Sequence, residues 1–481
     1  MVALGMLLLV SVAGLWWFNS RSVAVPTVSV AAADNSALSQ SLARNLLVKL
    51  GVLQGSSSAH AIKIVDAAGE KADLNFTVNG LRESGKVRAS VALVSRADQA
   101  VLWSQDYERP GTSQSDLEAQ IAFSAARVLD CASEEALGES GRLSDSARRT
   151  FLNACAMLAE LGWDKSPVIP MLRKVIEEAP KFRPAWAKLL FAETEVISFL
   201  ISGSQPVDAL LDQLRKDVAA ARKSYPDLAE ATLAELELGD RDSITRSIRL
   251  VDKANSQDPD NATVLSTRSM ILQSAGRMAD AINDAQLASE LDPLSPANRN
   301  AYIIALAYGG QIGRAREELE KAKKLWPGAR TVLDAEYSLE LRFGDFVKAV
   351  RAGEDYGPRS ELYLKARSDP SDANVSAFLN YFLRSGERAA SRGFMLQALG
   401  EMNRVDEFFD YAEQARVDTL GFHSYVLFRP WVAPARRDPR FMRLAKGIGL
   451  VDYWQKSGIW PDFCREPDLP YDCKAEAAKL G

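Results

Sequence analysis

Histidine is nearly missing: the 481 residues include only His60 and His423. That argues against a histidine-rich metal site or a multi-histidine catalytic centre. Cysteine is almost as scarce, with Cys131, Cys155, Cys464 and Cys473 and no CxxC pair, so no zinc-ligand spacing is present. There is no GxSxG elbow and no HExxH helix. Basic excess is lacking too, since the formal net charge is −5, which gives no support for broad binding to nucleic acid or an anionic membrane. Paired acids such as Glu177-Glu178 and Glu317-Glu318 lie on amphipathic stretches, where adjacent side chains point about 100° apart and do not converge. We therefore expect no catalytic residue, no cofactor, no metal and no nucleic-acid partner through this chain. With 47% hydrophobic and 25% charged residues it is an ordinary folded chain, long enough for two or three domains.

Long apolar runs are also lacking, with one exception. Val2–Phe18 carries no charge and ends in Trp16-Trp17-Phe18, the shortest credible membrane helix with aromatics at its interface. We expect a transmembrane anchor over residues 1–20. The rival is a cleaved signal peptide, which needs a basic start, absent here, and a small-residue cleavage site close behind the run. Ala31-Ala32-Ala33 lies too far downstream. Arg21 is the one nearby basic residue, so flanking charge does not set an orientation. The cysteines divide into two local pairs, Cys131 with Cys155 across Gly138-Glu139-Ser140-Gly141, and Cys464 with Cys473 around Pro467–Pro470. Two such disulfides would place the chain in an oxidising compartment; the rival is four buried thiols in a cytosolic protein.

What is present is a repeat. Pro259, Pro293 and Pro327 are spaced 34 apart, as are Gly276, Gly310 and Gly344, and Ala281, Ala315 and Ala349. The glycines fit a tight turn between two helices, the alanines a close helix–helix approach, and the prolines the end of a unit. Ala288 and Ala322 repeat the interval again. This period belongs to the tetratricopeptide class of helix–turn–helix repeats. A third unit departs from the pattern, with Tyr356 and Glu361 where the small residue and the proline would stand. It reads either as a terminal cap or as the point where the array changes type.

Ahead of the repeats, alternation predicts a small α+β domain over 24–131. Val28 and Val30 mark a first strand, and Leu38, Leu42, Leu46 and Leu50 a helix. Leu74, Phe76 and Val78, then Val87, Ala89, Val91 and Leu93, mark two strands joined at Glu83-Ser84-Gly85-Lys86. Val101, Trp103 and Gln105 follow in a third strand, and Leu117, Ile121, Ala125 and Val128 in a closing helix. The stretch Gly80–Lys86 partly matches a phosphate loop, but Val87 stands where Ser or Thr would hold magnesium, and a strand follows where a helix should. We read it as a charged hairpin.

The residues Leu74–Arg88, Leu93-Val94 and Leu102–Tyr107 resemble the TolB-amino-terminal-like domain. The tail segments Arg437–Phe441, Gly449–Trp454 and Trp460–Cys464 are similar to those of bacterial membrane-bound one-component regulators, in which this domain follows a membrane helix and precedes tetratricopeptide repeats. The resemblance implies the sensory half of an envelope signalling system, single-pass in the inner membrane with its bulk in the periplasm. It also implies a winged helix ahead of the membrane segment. No residue here corresponds to one, so DNA binding is carried over to none.

The expected fold is thus an α+β N-terminal domain followed by an all-α tetratricopeptide-type solenoid over 143–400, clearest over 259–350, with a helical, disulfide-stapled cap over 401–481. Function is expected to be non-enzymatic recognition of a protein or peptide partner, with membrane attachment through the N-terminal helix and the oligomeric state open. A structural scaffold, or an enzyme that recruits through its repeats, are the alternatives. Arg268, Arg299, Tyr302 and Tyr337, with Leu265 and Ile303, are candidate partner contacts; the apolar members would serve equally as core. Arg429, Arg436, Arg437, Arg440 and Arg443 cluster with Trp431 and Phe441 in the tail, either binding an anion or forming a solvated face paired with acids such as Asp438. Tyr453, Trp454, Trp460 and Phe463 are expected to fold the tail back onto the last helices.

Overall fold

The computed structural model describes residues 27–51, 63–65, 72–137, 143–159, 167–202, 205–239, 243–293, 295–326, 329–352, 357–384, 389–414 and 420–480. Alternating apolar residues at the N-terminal end make a sheet of five strands, β1 (Thr27–Ala32), β2 (Lys63–Ile64), β3 (Leu74–Glu83), β4 (Lys86–Ser95) and β5 (Val101–Pro110). Their order is β2-β1-β3-β4-β5. β3, β4 and β5 are antiparallel, while β1 is parallel to both neighbours. Parallel neighbours need a crossover, and helix α1 (Ala37–Gly51) lies on the one from β1 to β2. Gly80 of β3 lets α1 come close, since a Cβ there would stand 2.8 Å from Leu38 Cγ and 3.0 Å from Leu42 Cδ1.

The turn between β3 and β4 has φ +50° at Ser84 and +77° at Gly85. Left-handed geometry at both positions matches the twist of a tight hairpin. Lys86 donates to Glu108 on β5, so the phosphate-loop-like stretch is part of the sheet. Along β5 the expected alternation slips. A register shift at Leu93/Val94 leaves Val101 exposed and buries both Leu102 and Trp103.

Helix α2 (Gln114–Leu137) closes the sheet with Leu117, Ile121, Ala125 and Val128 buried. The Cys131–Cys155 bond, with Cα atoms 6.6 Å apart, ties it to α3 (Asp145–Ala159). Four further helices follow, α4 (Val168–Glu178), α5 (Arg183–Ser202), α6 (Asp208–Ser224) and α7 (Ala229–Ala234). A single hydrophobic core runs from Val28 to Ala234 through all of them.

The repeat region continues with α8 (Ile244–Gln257), α9 (Ala262–Ser274), α10 (Met278–Leu291), α11 (Pro296–Tyr308), α12 (Ile312–Leu325), α13 (Arg330–Phe343) and α14 (Phe346–Ala352). Helix starts are written locally. Ser243, Asn261 and Ser295 accept from the first backbone amides of α8, α9 and α11, and Pro296 opens the last of these. Gly276 and Gly310 take φ of +74° and +82° at the turns within each helix pair, and Ala281, Ala288, Ala315 and Ala322 are buried between helices. Gly344 instead has φ −137°, so the third unit departs in backbone as well as in sequence. Helices α15 (Pro358–Ser368), α16 (Asp372–Arg384), α17 (Ala389–Glu401) and α18 (Val405–Gln414) complete the array. Pro327, Tyr356 and the Gly138–Gly141 turn lie outside the described residues.

The tail returns to the middle of the array. Ser424 Oγ donates to Ser274 O at 2.7 Å and Trp454 Nε1 to Ala275 O at 3.1 Å. Asp462 N donates to Gly276 O at 3.0 Å, and Ala279 N to Asp462 Oδ2 at 2.9 Å. A second core therefore joins residues of α8 and α9 to the last helices and to Phe428, Phe441, Trp454 and Phe463. Cys464 and Cys473 are bonded, with Cα atoms 5.8 Å apart.

One expectation is corrected. The single-pass placement in the inner membrane, with the bulk of the chain in the periplasm, is overturned. No helix among the described residues is long and apolar enough to cross a membrane, and the 2–18 segment lies outside those residues.

Candidate partner-binding surface

Successive repeats should engage equivalent residues between their helices, and the first two do. Leu265 on α9 packs with Ala288 and Leu291 of its own second helix, α10. Ser269 Oγ donates to Ala281 O on that same helix at 2.7 Å. One repeat on, Arg299 pairs with Glu318 of α12 at 2.5 Å, and Ile303 is 0% exposed. In the third unit the equivalent residues are Leu333 and Tyr337, 48% and 42% exposed. Leu333 and Tyr337 stand one turn apart on the same face of α13. Charged pairs flank them, Arg330 with Asp334 at 3.0 Å and Lys323 with Glu336 at 2.6 Å.

The other sequence candidates sit differently. Arg268 bridges Asp252 of α8 and Asp284 of α10 at 2.8 and 2.7 Å; burial opposes its charge, and these two carboxylates raise its pKa in spite of it. Arg299 is committed to Glu318. Tyr302 is buried, donates to Gln286 at 3.3 Å and accepts from Arg314 at 2.8 Å. Leu265 and Ile303 are core. Leu333, which was not singled out in the sequence, shares Leu265's register, 68 residues on.

A TPR repeat-containing protein of Pseudomonas aeruginosa is similar to part of this chain. The two are 30% identical over 161 residues, which is 32% of this chain and 27% of that relative. The match thus spans about a quarter of the relative's length. No protein-family model matches the chain. Helical repeats of this type and this similarity support a protein-interaction module as the general reading.

Next to the open face, the tail lies along the ends of α11 and α13. Trp431 meets Tyr308 and Phe343 with ring centroids 5.6 and 5.7 Å apart. Arg342 stands over Trp431 at 5.5 Å and pairs with the buried Glu401, which also accepts from Tyr363. Arg367 donates to Tyr363 OH and to Leu341 O, both at 2.8 Å. Of the five tail arginines, Arg437 pairs with Asp468 and Arg440 with Asp406 and Asp438, each at 2.7 Å. Arg443 is exposed. Arg436 is buried and donates to Leu427 O and Arg429 O at 2.9 and 2.8 Å. Arg429 has none of these partners.

Proposed function

We propose that the chain is a non-enzymatic recognition protein whose partner, a peptide or a protein, docks on α13 through Leu333 and Tyr337. The observation that carries this reading is the change of exposure at one register position, buried at Ser269 and Ile303 and open at Tyr337. An apolar pair framed by charged residues has the make-up of a small interface centre, where a few side chains supply most of the affinity. The finer reading, a signal-receiving half of a regulatory system, is supported by the resemblance of the 24–131 and tail segments to such proteins. In that reading the sheet domain over 24–131, the array over 143–400 and the cap over 401–481 are its parts.

The test is a paired substitution. Removing a buried Leu or Tyr contact costs about 1.5–3 kcal/mol, so L333D with Y337A should weaken partner binding by at least about tenfold. The partner retained by the purified full chain from cells of its source would be quantified for both proteins, with thermal unfolding as a folding check. Equal retention by a folded variant contradicts the docking surface.

A further inference from the structure

Arg429 is the buried tail arginine two of whose guanidinium nitrogens lack an acceptor. It is 7% exposed, yet its Nε and Nη1 are buried without a hydrogen-bond partner, and so is Trp431 Nε1 two residues on. The two side chains share a neighbour. Arg429 Cζ lies 3.3 Å from the centre of the Tyr308 ring, and the Trp431 ring stands 5.6 Å from it. Tyr425 adds a second ring 4.7 Å from Arg429 Cζ. The adjacent cation, Arg342, is already committed to Glu401.

Arg436 is the control that the fold itself provides. It is buried as deeply, seven residues along the same segment, and two backbone carbonyls receive its hydrogen bonds. Arg429 has aromatic faces and no acceptor. Burial pushes the pKa of both groups down to about 10, so it is the acceptors that distinguish them. Guanidinium and indole are donors only, so the group missing from this site is an acceptor. The planar fork of a guanidinium matches a carboxylate bidentately.

We propose that Arg429, helped by Trp431 Nε1, receives one carboxylate of an acidic partner segment at the ends of α11 and α13. The inference deepens the partner-binding reading and rests on it for the source of the carboxylate. The chemistry is separable, because Leu333 and Tyr337 can be altered with Arg429 untouched.

The experiment uses the full chain as wild type, R429M, R429K and W431F. Thermal unfolding is followed with sodium acetate, and separately with sodium phosphate, replacing sodium chloride at constant ionic strength. Acetate is expected to raise the midpoint of the wild type by about 2 °C more than that of R429M, as one weak site filled by mass action would. R429K and W431F should fall between, one lacking the fork and the other the indole donor. In chloride, R429M should be as stable as the wild type or more so, because it removes a buried unpaired cation. A fixed set of ten-residue peptides in Asp/Glu and Asn/Gln versions then supplies the second readout, with at least tenfold preference for the acidic versions expected in the wild type and lost in R429M.

Acetate shifts that are equal in wild type and R429M overturn the proposal, and so does collapse of R429M in chloride, which would make Arg429 a packing residue. A larger response to phosphate than to acetate overturns the carboxylate assignment. If the partner is kept by R429M but lost by L333D with Y337A, this inference fails and the docking surface stands. The reverse result sinks the docking surface and keeps the inference.

Discussion

Alanine in place of each turn glycine separates what the backbone requires from what the tail requires. Gly276 and Gly310 are equivalent in the repeat and share a left-handed backbone, φ +74° and +82°. A residue with a Cβ there costs roughly 1–2 kcal/mol, and about 0.4–1 kcal/mol returns through the less flexible unfolded chain. At Gly310 an added Cβ meets nothing within 4 Å, so G310A should cost about 1 kcal/mol. At Gly276 the same Cβ would stand 2.6 Å from Phe428 Cε1 and 2.7 Å from Pro461 Cβ. Phe428 is held by Phe441, Trp454 and Phe463, so overpacking adds about 1–3 kcal/mol and G276A should cost about 2–4 kcal/mol. Gly344 is not left-handed, and its Cβ would meet only the flexible Glu340 carboxylate, so G344A should stay within about 0.5 kcal/mol of the wild type. Urea unfolding of the full chains, followed by far-ultraviolet circular dichroism and tryptophan fluorescence, gives the ranking. Equal costs for G276A and G310A would refute the docking of the tail on the first turn.

Two other predictions concern the first helices. Burial, and then the hydrogen bond shared with Asp217, push the Glu193 carboxyl up to about 8 from 4.5, against the pull of Arg173. A raised native value means that the contribution is complete below about pH 4.5 and is lost as pH rises through about 8. E193Q should therefore flatten that decline and be the more stable protein at about pH 9, measured as urea midpoints across the range; parallel curves for the two proteins would contradict the assignment. Loss of the Cys131–Cys155 bond, which spans 24 residues, frees a loop worth about 3 kcal/mol. C131S with C155S should lower the unfolding midpoint accordingly, and an unchanged midpoint would mean that the bond does not form in solution.

Legibility followed the range of the interactions. Strands of ten residues such as β3 and β4 carry enough alternation to be read, and the Ser84-Gly85 turn names itself. β2 has two residues, too few for any period, and the parallel placement of β1 is fixed by a pairing 46 residues away, Val28 with Leu74. The repeat was legible because glycine, alanine and proline act locally. What each polar face does was not. Arg268 and Arg299 read as free contacts until the fold brought Asp284 and Glu318 beside them. The Asp252–Arg268–Asp284 run, spaced 16 and 16, was the available hint. For the tail, aromatic content predicted burial, and Trp454 and Phe463 are buried. That Arg429 would be buried with them, away from any acid, depended on where the chain doubled back.

A partner seated on the exposed face of α13 would lie within reach of a probe at Tyr337. The direct measurement is site-specific photo-crosslinking in cells of the source, with benzoyl-phenylalanine at position 337 and, as a control, at 287, another exposed apolar position two helix pairs earlier, on α10. One discrete adduct is expected from 337, abolished by L333D, and none of that size from 287. No adduct at 337, or the same product from both positions, would contradict docking on α13.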